Sequence, residues 1–165
     1  VERISKLVAR ANVLKGEQAT VRGYLDGASE YDVVHLACHG VFRTDNPMFS
    51  SLHFADGWMT ANDVASHRIN ASLVTLSACE TGLAELAAGD EILGLTRGFL
   101  SAGARNVVQS LWTVNDNATA ELMTHFYAEI QRGRSIAASL RNAQTAMIRR
   151  GDHPYHWAPF FLIGG

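Results

Sequence analysis

A cysteine and a histidine each stand where a short apolar run of the sequence ends. Cys79 follows residues 73–78, and His39 follows residues 33–38 and precedes Gly40. A thiolate is a nucleophile, and a nearby imidazole can both favour the thiolate and protonate a leaving amine. These residue types predict acyl transfer by a Cys/His pair if the fold brings the two side chains together.

The two apolar runs have the composition of neighbouring strands in one sheet. Residues 73–78 carry no charge, which is typical of a central strand covered on both faces. Open α/β sheets bind ligands at the carboxyl ends of their parallel strands, and neighbouring strands lie about 4.8 Å apart. Cys79 follows His39 by 40 residues, which leaves room for a crossover. We therefore expect Cys79 and His39 side by side at that edge.

Four segments of the sequence resemble the CHAT domain family, a group of caspase-like domains often joined to tetratricopeptide repeats. They are H-L-A-C-H-G-V-F, S-A-C-E-T-G, G-D-E-I-L-G-L-T-R-G-F-L-S-A-G-A-R-N-V-V-Q-S-L-W-T-V and W-A-P-F-F-L-I-G. The resemblance runs from about residue 33 to the C-terminus. It implies a cysteine peptidase with the catalytic residues His39 and Cys79. By the same resemblance, the backbone amides of Gly40 and Cys79 would stabilise the oxyanion, and a glycine there lets the substrate backbone approach closely.

Helical and strand patterns alternate along the rest of the chain. Helices are predicted at residues 2–11, 21–25, 60–67, 90–100, 118–131 and 135–150, with capping residues Thr20, Thr60, Asp90 and Ser135. Further strands are predicted at residues 12–14, 106–111 and 159–163, and a hairpin joins residues 52–54 to 58–59 through Asp56 and Gly57. Pro159 favours a sheet edge for the last strand. This pattern predicts an α/β fold, and the resemblance specifies a caspase-like three-layer α/β/α sandwich with a mostly parallel sheet.

Other residues offer alternatives to the Cys/His pair. Cys38 is a rival thiol, but it precedes the strand end and is expected to be buried. His35 and His39 would lie about 13 Å apart along one strand, too far to share a metal ion. The spacing of His153 and His156 suits a ligand pair but has no cysteine or carboxylate cluster beside it. The loop of residues 80–89 has neither glycine-rich phosphate-binding signature, which argues against a nucleotide site.

A segment after the predicted strand 106–111 bears on substrate choice. Trp112 directly follows that strand and is expected to line a substrate groove. The run W-T-V-N-D resembles the W-x-V-x-D segment of separases, cysteine proteases in which the acidic residue helps to bind an arginine before the scissile bond. Asp116 would carry that role here, because a carboxylate can bind a guanidinium bidentately. The sequence departs from separases at Ala118, where they carry another aspartate, and Asp116 could instead cap the following helix.

Composition limits the classes of partner. The chain has 165 residues, 47% of them hydrophobic, and a net charge of −2, which indicates one compact domain without a nucleic-acid surface. No apolar run approaches the ~20 residues of a membrane span, and two cysteines favour a reducing cytoplasm. No cofactor or metal is expected. The remaining histidines are expected in loops or on helix surfaces with structural roles: His53, His67, His125, His153 and His156.

These observations predict a cysteine endopeptidase that cleaves a protein or peptide substrate and is regulated by an attached repeat or sensor region. The alternative is a catalytically silent CHAT module that acts as a scaffold. Residues 1–165 are interpreted as a single CHAT domain. The chain begins at Val1 rather than methionine, so we expect it to be cut from a longer protein and to lack one or two N-terminal strands that the family has.

Overall fold

The computed structural model describes residues 1–8, 10–43, 45–77, 79–80 and 92–164, with the backbone alone at residues 79–80 and 92–93. The helices are α1 (Glu2–Ser5), α2 (Val21–Gly27), α3 (Ala61–Ala65), α4 (Ile92–Ala102), α5 (Asp116–Gln131) and α6 (Ile136–Arg150). The strands are β1 (Val33–Leu36), β2 (His39–Val41), β3 (Ser51–Phe54), β4 (Gly57–Thr60), β5 (Leu73–Leu76), β6 (Cys79–Glu80), β7 (Asn106–Ser110) and β8 (Phe160–Gly164). The predicted loop residues 81–89 and the predicted cap Asp90 lie outside the described residues.

The chain divides into two compact units. The sheet unit comprises Leu14–Thr113 and Ile163–Gly165, and the helical unit comprises Val1–Val13 and Val114–Leu162. Both candidate catalytic residues belong to the sheet unit.

Sheet A is the mostly parallel sheet that the sequence predicts. Its strand order is β1-β5-β7-β8, and β5 runs parallel to both β1 and β7. All four residues of β5 are buried, as expected for a central strand without charges. The last strand, β8, is at one end of the order, in agreement with the edge position that Pro159 indicated. The α/β class is thus confirmed, and the parallel sheet agrees with a caspase-like α/β/α sandwich.

Sheet B is smaller and mixed, with the order β4-β3-β2-β6. The predicted hairpin is present as the antiparallel pair β3 and β4. Its turn lies at residues 55–56, one position earlier than predicted, and Gly57 already belongs to β4 with φ 150°. Strand β2 pairs antiparallel with β3 and parallel with β6. Sheet B therefore joins the predicted hairpin to β2 and β6, which the sequence did not separate from the strands of sheet A.

Aromatic packing and close helix contacts hold the sheet unit together. The ring of Tyr24 lies 6.1 Å from that of Phe54 and 6.5 Å from that of Phe99, and burial of each such side chain contributes ~2 kcal/mol. Helix α4 approaches α3 so closely that a Cβ on Gly98 would stand 2.6 Å from the Ala61 carbonyl oxygen. The predicted capping box of α3 is present between Thr60 and Asp63.

The helical unit is built on α5 and α6. Their buried residues repeat at helical spacing: Leu122, Met123, Phe126 and Tyr127 on α5, and Ser139, Leu140, Ala143 and Met147 on α6. The Gln144 amide on α6 donates to the carbonyl oxygens of Trp157 and Phe160 at 3.1 and 2.8 Å. These bonds tie the C-terminal segment to α6.

Two predictions near the N-terminus are wrong. The predicted helix 2–11 is reduced to Glu2–Ser5, and residues 12–14 form no strand. Val1 stands at the N-cap position without a side-chain hydrogen bond, and a helix this short is not stable by itself. Three apolar residues at helical spacing were too weak a signal.

Candidate active site

One continuous segment of the chain contributes a strand to each of the two sheets. The predicted strand 33–38 ends earlier, at Leu36, and the chain leaves sheet A through Ala37 and Cys38 before β2 begins at His39 in sheet B. The same change of sheet occurs between β5 and β6. One register offset of 40 residues holds throughout, from Val33↔Leu73 in sheet A to His39↔Cys79 in sheet B.

The backbone therefore aligns the two candidate catalytic residues. His39 and Cys79 are Cα partners in the parallel pair of β2 and β6, and neighbouring strands lie about 4.8 Å apart. His39 is exposed, so its imidazole is accessible from solvent. Their catalytic roles stay a prediction, as does the oxyanion role of the buried Gly40, whose register partners are Leu52 and Glu80.

The neighbouring histidine has a different environment. His35 on β1 is half-buried, and burial lowers its pKa to about 4. An imidazole with so low a pKa is neutral at physiological pH and is a weak base. His35 therefore suits a structural position in the sheet better than proton transfer.

The rival thiol, Cys38, packs against the hydrophobic core of the sheet unit. Burial raises the pKa of its thiol to about 11. Because the thiolate is the reactive form, a thiol with this pKa reacts slowly at neutral pH. Cys38 is half-buried, and its raised pKa gives it the unreactive character that the sequence favoured for it.

One face of sheet B carries an exposed histidine and an exposed tryptophan. His53 lies on strand β3, within the predicted hairpin and not in a loop or on a helix surface, and it is the register partner of Trp58 on β4. Their rings lie 4.6 Å apart. Strand β3 is also the neighbour of β2, with Gly40 paired to Leu52. The pairing of β2 with β3 sets His53 beside the candidate site, and no local sequence signal indicates that pairing.

The two predicted specificity residues belong to different units. Trp112 is half-buried and lies two residues after the end of β7 in the sheet unit. Asp116 is the exposed first residue of α5 in the helical unit. Helix α5 is capped by Asn115, whose side-chain oxygen accepts from the Ala118 amide at 2.9 Å. The alternative reading of Asp116 as the helix cap is therefore wrong.

His67 and His153 make hydrogen-bond contacts within their own segments. His67 is exposed, and its Nδ1 is 2.9 Å from the Asp63 carbonyl oxygen. The rings of His153 and His156 lie 6.4 Å apart, and His153 caps the short turn at Pro154–His156. Within the described ranges, no group of three histidine, cysteine or acidic residues could hold a metal ion.

No helix in the part of the chain that the structure describes is both long and apolar enough to cross a membrane.

Comparison with known proteins identifies the family. The matching family model is described as the CHAT domain and covers residues 1–165. Two relatives are both named tetratricopeptide repeat protein 28. The Mus musculus protein is 35% identical over 108 residues, and the Homo sapiens protein is 34% identical over 108 residues. In both cases the match covers 64% of this chain but only 4% of the relative's length. The resemblance drawn from the sequence motifs is confirmed.

Proposed function

Because the chain belongs to the CHAT domain family of the caspase-like peptidase clan, we propose that it is a cysteine endopeptidase that cleaves a protein partner through His39 and Cys79. One observation carries the proposal: the two residues are register partners on neighbouring parallel strands. The raised pKa of the only other cysteine, Cys38, supports Cys79 as the nucleophile.

The proposed reaction proceeds in two steps. The His39 imidazole takes the thiol proton of Cys79, and the thiolate attacks the carbonyl carbon of the scissile peptide bond. The tetrahedral oxyanion is stabilised by the backbone amides of Gly40 and Cys79, and the C–N bond breaks as His39 protonates the leaving amine. Water, deprotonated by His39, then hydrolyses the thioester and releases the carboxylate product and the thiol.

The substrate-binding part of the proposal concerns Trp112 and Asp116. We propose that Trp112 lines the substrate groove and that Asp116 binds an arginine before the scissile bond. The carboxylate of Asp116 is exposed and is not the cap of α5, so its charge is available for a ligand. Asp116→Asn should lower kcat/KM for arginine-containing peptides about 30-fold, because hydrogen bonds to charged groups contribute about 2 kcal/mol. Unchanged cleavage of those peptides would exclude this pocket.

Regulation by an attached repeat region is part of the same proposal. The relatives are named for tetratricopeptide repeats, and the match covers 4% of their length. A repeat region in the same chain could couple the recognition of a signal to cleavage. The competing function is a catalytically silent scaffold, which has no chemical use for a Cys/His pair.

A peptide library separates the two functions. The protein and its Cys79→Ala variant are incubated with the library, and new termini are identified by mass spectrometry. An endopeptidase produces a defined set of products that disappears with Cys79→Ala. If neither form of the full-length protein produces cleavage products, the result favours the scaffold function. If both form the same products, Cys79 is not the nucleophile.

A further inference from the structure

The outer face of sheet B carries an exposed aromatic patch. Burial alternates along the hairpin: Leu52 and Met59 are 0% and 1% exposed, whereas Trp58 is 50% exposed and His53 also faces solvent. Because strand side chains alternate between faces, the outer face holds His53 and Trp58. The rings of Trp58 and His53 lie 4.6 Å apart, and an exposed tryptophan in this position offers a surface on which another side chain can stack.

This patch is continuous with the candidate catalytic pair. The register of β2 and β3 pairs Gly40 with Leu52 and Val41 with Ser51, and extending this antiparallel register by one residue places His39 opposite His53. Cross-strand partners share a face of the sheet. His39 and His53 are both exposed, whereas the adjacent register pair, Gly40 and Leu52, is buried. The backbone therefore sets out one row across sheet B in the order Cys79, His39, His53, Trp58.

The chemistry of peptide cleavage indicates which part of a bound substrate would lie along this row. The thiolate attacks the carbonyl carbon, whereas the imidazole protonates the leaving nitrogen on the other side of the scissile bond. Positions beyond His39, away from Cys79, therefore face the part of the substrate that follows the scissile bond. His53 and Trp58 lie about two and three strand spacings from Cys79, or ~10 and ~14 Å. An extended peptide rises ~3.3 Å per residue, so these distances correspond to the third and fourth residues.

We propose that His53 and Trp58 form a subsite that binds an aromatic or large apolar side chain three to four residues after the scissile bond. The proposal rests on the endopeptidase function proposed above and adds a specificity that the motifs do not contain. The occupant is the leaving segment of the substrate, because the patch continues the catalytic row. Stacking on Trp58 supplies the contact, and His53 holds the indole ring from one side.

The test compares long and short substrates. Peptides with randomised residues before the scissile bond carry phenylalanine, arginine or glycine at each of five positions after it. A short ester substrate ends just beyond the scissile bond and cannot reach the patch. The proteins are the wild type, Trp58→Ala, Trp58→Phe and His53→Ala. Tyr155→Ala is the control, since Tyr155 is a similarly exposed aromatic residue, 48% exposed, outside this row.

Wild type should cleave peptides with phenylalanine at the third or fourth position about tenfold more efficiently than those with glycine, mainly through a lower KM. Trp58→Ala should remove this preference, His53→Ala should reduce it, and Trp58→Phe should retain most of it. Tyr155→Ala should keep the wild-type preference. A phenylalanine preference that survives in Trp58→Ala overturns the subsite, and a preference for arginine over phenylalanine overturns its apolar chemistry.

A binding measurement separates failure of the subsite from failure of the endopeptidase function. Labelled leaving-segment peptides are titrated into Cys79→Ala protein, with and without Trp58→Ala, and fluorescence anisotropy is recorded. The subsite is supported if wild type cleaves the substrates and if the phenylalanine peptides bind more tightly than the others only when Trp58 is present. If wild type cleaves neither long nor short substrates, the endopeptidase function fails and the proposed subsite with it. If wild type cleaves both but Trp58 changes neither binding nor preference, only the subsite fails.

Discussion

The same two segments of the chain contribute strands to both sheet A and sheet B, but the two sheets present different surfaces. In sheet A, Val74, Thr75 and Leu76 are almost completely buried. In sheet B, one residue in each of β2, β3 and β4 is exposed: His39, His53 and Trp58. A strand that is buried on both faces contributes to stability, whereas a face open to solvent can meet a substrate. The change of sheet at Ala37 and Cys38 therefore separates the stabilising part of the chain from the part with candidate chemistry.

The two histidines on either side of this change show the contrast directly. His35 is half-buried and its pKa is lowered to about 4 by burial. His39, four residues later, is exposed and is aligned with Cys79. Substitutions in sheet A should therefore change stability, and substitutions on the open face of sheet B should change activity.

The largest effect is expected on the open face. His39→Ala should lower kcat/KM about 1000-fold, because general acid–base catalysis contributes roughly 10²–10⁴-fold. Its stability should change by less than ~0.5 kcal/mol, as is usual for exposed positions. His125→Ala, at an exposed histidine on α5, is the matched control and should leave cleavage unchanged. If His39→Ala cleaves peptides as efficiently as the wild type, the proposed functional contrast between the two sheets is wrong.

The second effect belongs to sheet A. Leu76 is 2% exposed on the central strand β5, and Leu76→Ala should cost ~3 kcal/mol of unfolding free energy through lost burial and a cavity. Ile148→Ala, at a helix position that is 49% exposed, should cost less than ~0.5 kcal/mol. Urea unfolding measures both values. A loss at Leu76 no larger than that at Ile148 would contradict the stabilising role of β5.

The third effect is the pH dependence of stability that comes from His35. The unfolded chain protonates this imidazole near pH 6.5, but folded His35 has a pKa of about 4. Between these values the unfolded state binds more protons, so the unfolding free energy falls as the pH is lowered from 6.5 to 4 and this contribution levels off below pH 4. The loss is on the order of 3 kcal/mol. Urea unfolding of the wild type and His35→Gln at several pH values measures it, and parallel curves would exclude the contribution.

The smallest effect is expected at the junction between the sheets. Cys38→Ala should change cleavage less than about twofold, because its thiol has a pKa of about 11 and is mostly protonated at neutral pH. Peptide cleavage by the wild type and Cys38→Ala at pH 7.5 gives the comparison. A large loss of cleavage in a variant that remains folded would assign the chemistry to Cys38.

Local signals predicted much of this fold. The uncharged run before Cys79, the capping box of Thr60 and Asp63, and the caps at Thr20 and Ser135 are all determined by residues close in sequence, and the structure contains each of them. Such features need only propensity and short-range hydrogen bonds.

The division between sheets could not be predicted in the same way. Residues 33–41 read as one strand followed by a loop, because a change of hydrogen-bonding partner leaves no mark on the side-chain pattern. The change of sheet depends on which strands, distant in sequence, lie beside β1 and β2. The same reason explains His53, whose place beside His39 follows only from the antiparallel register of β2 and β3.

The most direct test of the central claim is the pH dependence of Cys79 alkylation. The rate of iodoacetamide modification of Cys79 is followed by mass spectrometry in the wild type and in His39→Ala, with Cys38 as an internal reference thiol. A thiolate paired with an imidazole should react rapidly from pH 6 upward, and removal of His39 should slow the reaction at pH 6.5 at least tenfold and shift the profile towards the ordinary thiol pKa of about 8.5. Identical profiles for Cys79 in the two proteins would contradict the pairing of His39 with Cys79.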